Sequence, residues 1–331
     1  MSDALSTDPV VGLALGSGSA RGWAHIGIIQ GLEAMGLRPQ VVVGTSIGAL
    51  VGAVYVSGQL DAFAEWVQTL TSREVFRFLD FSFTGGVVKG ETLFSFFESQ
   101  HRNPDISSLA QRYASVATEM SSGREIWINK GPILPAARAS CALPGLFSPV
   151  QFDGQWMLDG GLVNPVPVST CRAMGADLVI AVNLNAQLVG RHFSRAAEPA
   201  EPSPDERARD RGWWDRVRDY MSSGGSDEEG GSPRFFDVIA SSVNIMQDRI
   251  TRSRMAGDPP DLTLVPELRD FALMDFHRAK EAIAEGRRLV EQHQDLLRRW
   301  RPAPPAEKPA EDAAAEARTR TRKGDPPQGD T

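Results

Sequence analysis

The run Gly44-Thr45-Ser46-Ile47-Gly48 follows directly on the apolar stretch Val41-Val42-Val43. A buried strand that runs into G-x-S-x-G and then into a helix is the sequence form of a nucleophile elbow. The pattern constrains the fold because the sharp turn must lift one side chain above the end of a buried sheet. Gly44 and Gly48 remove the Cβ atoms that would clash where strand and helix close on each other. A serine held in that way is placed to attack an ester carbonyl.

The flanking elements agree with a sheet of that kind. Val10 to Leu15 reads as a buried strand and Gly16 to Gly22 as a glycine-rich loop. Trp23 to Met35 reads as a helix, with Ile26, Ile29 and Leu32 roughly one turn apart and Gly36 as its stop. Strand Val41 to Val43 and a helix from Ile47 to Ser57 come next. A βαβ unit followed by another helix implies a parallel sheet covered by helices. Further helices are expected at Asp61 to Leu70 and Glu91 to Phe97, with an aromatic stretch of Phe76, Phe78, Phe81 and Phe83 between them, near Gly85-Gly86. Ser115 to Thr118 and Glu125 to Ile128 read as strands joined by a turn at Ser121-Ser122-Gly123. Leu178 to Leu184 reads as another buried strand, Leu262 to Val265 as a late one and Phe276 to Trp300 as a late helix. Phe235, Val238, Ile239, Val243, Met246 and Ile250 recur at helical spacing, which marks a core face, with a lipid-facing helix as the rival reading. The composition turns polar, acidic and rich in Pro, Gly and Ser between Leu188 and Pro233, and the tail from Arg301 to Thr331 is rich in Pro, Ala and charge. Together these define one ordered domain over 8–300, a mobile insert at about 190–233, and a disordered tail at 301–331. Trp213 and Trp214 sit inside the insert among arginines, as an interfacial candidate.

Charge and cysteine usage exclude several classes. Net charge is −7, which speaks against a nucleic-acid partner, since phosphate binding needs a clustered basic face. The two cysteines, Cys141 and Cys171, cannot form a disulfide framework and match no metal spacing, so a reducing cytoplasm is expected. No cofactor is expected. No basic region followed by an apolar one opens the chain, so no signal peptide is expected. The stretch from Val41 to Val56 is too short to span a bilayer.

A serine needs a base. Of the five histidines, His25 opens the helix after the glycine loop, His101 and His192 lie in polar stretches, and His277 and His293 lie in the last helix. None ends a predicted strand. Asp159 does, in Met157-Leu158-Asp159-Gly160-Gly161, where the absence of neighbouring bulk lets a carboxylate approach a hydroxyl. A desolvated pocket would raise its pKa and improve proton transfer. The loop Gly16-Ser17-Gly18-Ser19-Ala20-Arg21-Gly22 can turn backbone N–H groups into one concavity for an oxyanion, with Arg21 pinning it or adding positive charge. A dinucleotide fingerprint is the competing interpretation. It fits poorly, because Arg21 stands at the third glycine position and no ribose-binding acid follows the second strand. Cys141 is read as a small buried filler or a lining of the acyl pocket.

These blocks, in this order, resemble the patatin-like phospholipase family, especially compact bacterial members related to neuropathy target esterase. The likeness also takes in Ala117-Thr118-Glu119, Gly123-Arg124-Glu125, the run from Ala139 to Phe147, Leu158 to Pro167 and Pro259 to Val265. It covers roughly Val10 to Leu188 and Phe235 to Trp300. The resemblance implies a three-layer α/β/α fold with a mainly parallel sheet. It implies a histidine-free Ser-Asp pair, Ser46 as nucleophile and Asp159 as proton acceptor, with no metal. The expected reaction is hydrolysis of a lipid acyl ester through an acyl-serine, by a phospholipase or lysophospholipase. An acyl-thioesterase or general carboxylesterase is the neighbouring alternative, and a regulatory adaptor retaining the fold is the alternative of another class. A lipid substrate also suggests transient contact with a membrane surface, as of a cytoplasmic protein at the inner membrane.

Overall fold

The computed structural model describes residues 8–78, 103–144, 147–187 and 235–301. The expected helix from Glu91 to Phe97, the residues Phe81, Phe83, Trp213 and Trp214, the insert and the tail beyond Arg301 lie outside these. Among the described residues the strands are β1 (Val11–Leu15), β2 (Val41–Thr45), β3 (Arg112–Glu119), β4 (Glu125–Ile128), β5 (Val150–Phe152), β6 (Gln155–Asp159), β7 (Leu178–Val182) and β8 (Leu262–Leu264). The helices are α1 (Trp23–Ala34), α2 (Ile47–Val56), α3 (Leu60–Val67), α4 (Ser72–Phe78), α5 (Ile133–Ser140), α6 (Val168–Ala173), α7 (Phe235–Gly257), α8 (Ala279–Gln292) and α9 (Gln294–Leu297).

Side chains alternate across a strand, and here the alternation divides one sheet between two cores. Leu13, Leu15, Val42, Ile180 and Val182 face the layer built by α1, α2, α3, α5 and α8. Ala14, Val41, Val43, Val179 and Ala181 face the other side, against Val168 and Cys171 of α6 and Met255 of α7. The result is three layers. Helix α2 carries no charged residue and is buried on every side, as a helix that is apolar all round must be.

The sheet runs β5-β6-β3-β2-β1-β7-β8, with β4 paired to β3. Pairs β1–β2, β1–β7, β2–β3 and β7–β8 are parallel, while β4, β5 and β6 join as antiparallel pairs. The long strand β3 organises the site. Thr45, the last residue of β2, pairs with Val116, and Asp159, the last residue of β6, pairs with Ala117. Ser115 pairs with both Gly44 and Ile128, and Ala117 with both Ile126 and Asp159, so β4 holds one edge of β3 and β2 and β6 share the other. Two strands running in opposite directions therefore meet end to end on a single edge. Residue 46 and residue 159 come together there.

Most expected elements form within a residue or two of their expected bounds. The late helix is broken instead of continuous: after a 3-10 turn at Phe276–Arg278, α8 ends at His293. The His293 ring bonds the Leu289 carbonyl through Nδ1 at 2.8 Å, and its backbone N–H turns to the Val290 carbonyl. The hairpin β5–β6 is an addition, and its signal is Asp153-Gly154, a two-residue turn with both φ positive.

Candidate active site

Ser46 sits between β2 and α2 with φ 57° and ψ −125°, a strained backbone for a residue with a side chain. The turn closes so tightly that a Cβ on Gly44 would lie 2.3 Å from the Gly48 carbonyl oxygen, and one on Gly48 would lie 2.2 Å from that of Leu15. The strain is held by bonds on both sides. The Ser46 N–H donates to Ser140 Oγ at 2.8 Å, and the Ser140 hydroxyl donates to the Val116 carbonyl at 2.5 Å. The Thr45 hydroxyl donates to the Asn164 carbonyl at 2.8 Å.

Asp159 is fully buried. The Ser46 hydroxyl donates to its Oδ2 at 2.5 Å, and the Gly161 N–H donates to its Oδ1 at 2.7 Å. Burial pushes the carboxyl up to about 6, against the opposing pull of the Ser46 and Gly161 hydrogen bonds. Such a group remains mostly ionised at neutral pH and is a stronger proton acceptor than a solvated aspartate. Gly160 lets the chain hug β3: a Cβ there would fall 2.0 Å from the Val116 carbonyl oxygen.

The glycine loop reaches the site, but its amides are not equivalent. The Gly16 N–H donates to the Val182 carbonyl at 3.1 Å and the Ser17 N–H to the Pro165 carbonyl at 2.8 Å. The Arg21 N–H is engaged with the Gly18 carbonyl. Gly18 and Ser19 are the loop positions whose N–H groups bond no acceptor among the described residues. Gly22 packs against Ile47 behind the elbow. The Arg21 side chain is an anchor: its guanidinium is buried and donates to the Phe271 carbonyl at 3.2 Å and to Asn185 Oδ1 at 3.0 Å. Burial lowers its pKa to about 10, partly offset by Asp275, so it keeps its charge.

His25 serves the same loop. Its ring is buried, Nε2 lies 2.8 Å from the Gly16 carbonyl, and burial drives its pKa down to about 4. It is therefore neutral at pH 7, with its proton on Nε2 donated to that carbonyl. His277 is exposed, while His101 and His192 lie outside the described residues.

Ser46 opens into a cleft. Leu50, Trp66, Leu70, Phe147 and Phe276 give it apolar walls, and Cys141 joins them beside Ser46. Burial raises the Cys141 thiol well above its ordinary range, followed by the nearby Asp159 charge. Helix α7 corrects its expected orientation: Val238 and Met246 are 45% and 46% exposed, Ile250 is half-buried, and of the described stripe only Val243 is buried. The face turned inward carries Asn244 and Gln247, which line the cleft. Gln247 accepts hydrogen bonds from Ser17 and Asn185 there, so polar residues occupy that face. Among the described residues no cluster of His, Cys, Asp or Glu is placed to hold a metal ion, and no helix is long and apolar enough to cross a membrane.

A family model described as patatin-like phospholipase matches residues 13–172, from β1 through most of α6. An uncharacterized NTE family protein of Mycobacterium tuberculosis is 33% identical over 332 residues, which cover 87% of this chain and 92% of that relative. The chain belongs to the patatin-like phospholipase family. Patatin-like phospholipase domain-containing protein 6 of Homo sapiens is 33% identical over 191 residues, 55% of this chain and 14% of that protein. Lysophospholipase NTE1 of Coccidioides immitis is 31% identical over 191 residues, 53% of this chain and 12% of its own length. The three-layer arrangement is thus a patatin fold with a mixed, mostly parallel sheet, as the resemblance implied. The patatin-like match contains the loop, Ser46 and Asp159, whereas α7 and α8 lie beyond it.

Proposed function

We propose that the chain hydrolyses fatty acyl esters of lipids, as a phospholipase or lysophospholipase, with Ser46 as nucleophile and Asp159 as its base. The observation that carries this reading is the 2.5 Å hydrogen bond from the Ser46 hydroxyl to a buried carboxylate, at the floor of an apolar cleft. Family membership and the name of the lysophospholipase relative support the substrate class. The Ser46 proton passes to Asp159 Oδ2 as Oγ bonds the ester carbon. The negative oxygen of the tetrahedral intermediate takes hydrogen bonds from the Gly18 and Ser19 N–H groups. Its collapse breaks the bond to the alcohol, whose oxygen takes the proton from Asp159 and leaves an acyl-serine. Asp159 then takes a proton from water, the hydroxide attacks the acyl carbon, and the proton returns to Ser46 Oγ as the fatty acid departs. No step needs a metal. The bilayer holding the substrate would be met by transient surface contact.

A fluorophosphonate probe tests the reading. The intact chain should be labelled at Ser46, and Ser46→Ala should lose both labelling and hydrolysis of a p-nitrophenyl acyl ester. An unlabelled, folded chain would instead support an adaptor that keeps the fold without catalysis.

A further inference from the structure

Helix α7 turns hydrogen-bonding residues inward at 244, 247, 248 and 251, one helical face. Asn244, Gln247, Asp248 and Thr251 are all buried, while Ile245 and Met246 point outward. Asp248 is paired with Arg252. Asn244 and Gln247 instead border the cleft that holds Ser46.

The orientation of Gln247 is fixed from Arg21. A guanidinium only donates, so Asn185 must present Oδ1 to Arg21 Nη2, at 3.0 Å. That turns Asn185 Nδ2 toward Gln247, whose Oε1 accepts it at 2.8 Å, and the Ser17 hydroxyl donates to the same Oε1 at 2.9 Å. The Gln247 amino group is left on the side of Gly161 and Asp159 Oδ1. A Cβ built on Gly161 would meet Gln247 Nε2 at 2.4 Å and Asp159 Oδ1 at 2.9 Å, so donor and carboxylate flank one point. Asp159 is the group that hands a proton to the departing alcohol. One turn earlier, Asn244 is 3% exposed, borders the cleft, and hydrogen-bonds no partner among the described residues. Its amide opens onto the cleft instead of being sealed from it, so a bound substrate can supply the missing partner.

We infer that Asn244 and Gln247 form the subsite for the alcohol half of the ester and read a free hydroxyl on the carbon next to the esterified one. The inference rests on the hydrolase reading above. A hydroxyl both donates and accepts, which suits two neutral amides, and neither amide supplies the charge that would favour a phosphate oxygen. The matching substrates are monoacyl glycerolipids. A site built to bond a hydroxyl discriminates strongly against the analogue that lacks it, because its own polar group is then left unpaired.

The test compares kcat/KM for a 1-acyl-glycerophosphocholine and for the same lipid with hydrogen in place of the C2 hydroxyl. The unaltered protein should prefer the hydroxyl-bearing lipid by roughly tenfold or more. Asn244→Leu should shrink that preference to less than half its size, and Asn244→Ala provides the same readout where the larger residue does not fold. A preference under fivefold in the unaltered protein overturns the inference, as does one that survives in the variant at half its size or more. Fluorophosphonate labelling keeps the two claims apart. A chain that labels at Ser46 and cleaves both lipids equally sinks only the subsite, whereas one that neither labels nor cleaves sinks the hydrolase reading beneath it.

Discussion

Replacing Asp159 by Asn should remove activity and make the protein more stable at the same time. The carboxyl is held at about 6 in the folded chain against 3.8 for an unperturbed aspartate, chiefly because burial disfavours its charge. A group whose pKa rises on folding binds its proton more tightly in the folded state. Its contribution to stability is therefore complete below the unfolded value and is lost as pH climbs through the folded one. At about 1.4 kcal/mol per unit, keeping Asp159 ionised costs on the order of 3 kcal/mol at pH 8. An amide keeps the shape and the acceptor for the Gly161 N–H without the charge. Urea unfolding of Asp159→Asn should show a gain approaching that size at pH 8, shrinking to under about 1 kcal/mol at pH 4, where the native carboxyl is itself protonated. Hydrolysis of a p-nitrophenyl ester by the same variant should be abolished. A variant no more stable than the parent at pH 8, or equally stabilised at both pH values, would refute the claim that a desolvated charge sits beside Ser46.

Two further outcomes are expected. The acid limb of kcat/KM should bend near pH 6 and fall about tenfold per unit below it, because only the ionised carboxylate accepts the Ser46 proton; a profile still flat at pH 5 contradicts this. Ser140→Ala leaves the Ser46 N–H and the Val116 carbonyl without their shared partner. Unfolding free energy should drop by about 1–3 kcal/mol, and kcat should fall roughly tenfold as the elbow loosens, whereas an unaltered kcat would show that Ser140 does not hold Ser46 in place.

The first half of the fold was legible because its signals are local. Glycines mark the elbow and the loop, and continuous apolar runs mark strands buried on both faces. Asp159 was recognisable as a strand-end carboxylate beside two glycines, yet its seat opposite Ala117 depends on pairing between distant segments. The Asp153-Gly154 turn is the local clue to that hairpin. Which loop amides stay unpaired was not readable, because Val182 and Pro165, far along the chain, take those of Gly16 and Ser17. On α7 the apolar periodicity misled. An apolar stripe marks the core face only where a core lies opposite, and here the neighbour is a cleft, so the polar series at 244, 247, 248 and 251 turns inward.

The shared edge of β3 works as a ruler. Thr45 and Asp159 are gauged against adjacent residues of one backbone, Val116 and Ala117, so Asp159 is held one residue step of about 3.3 Å along that edge from the residue that precedes Ser46. Shifts in the outer helices, or changes of length in the loops between elements, leave that gauge untouched. The cleft can thus be reshaped while Ser46 and Asp159 keep their spacing.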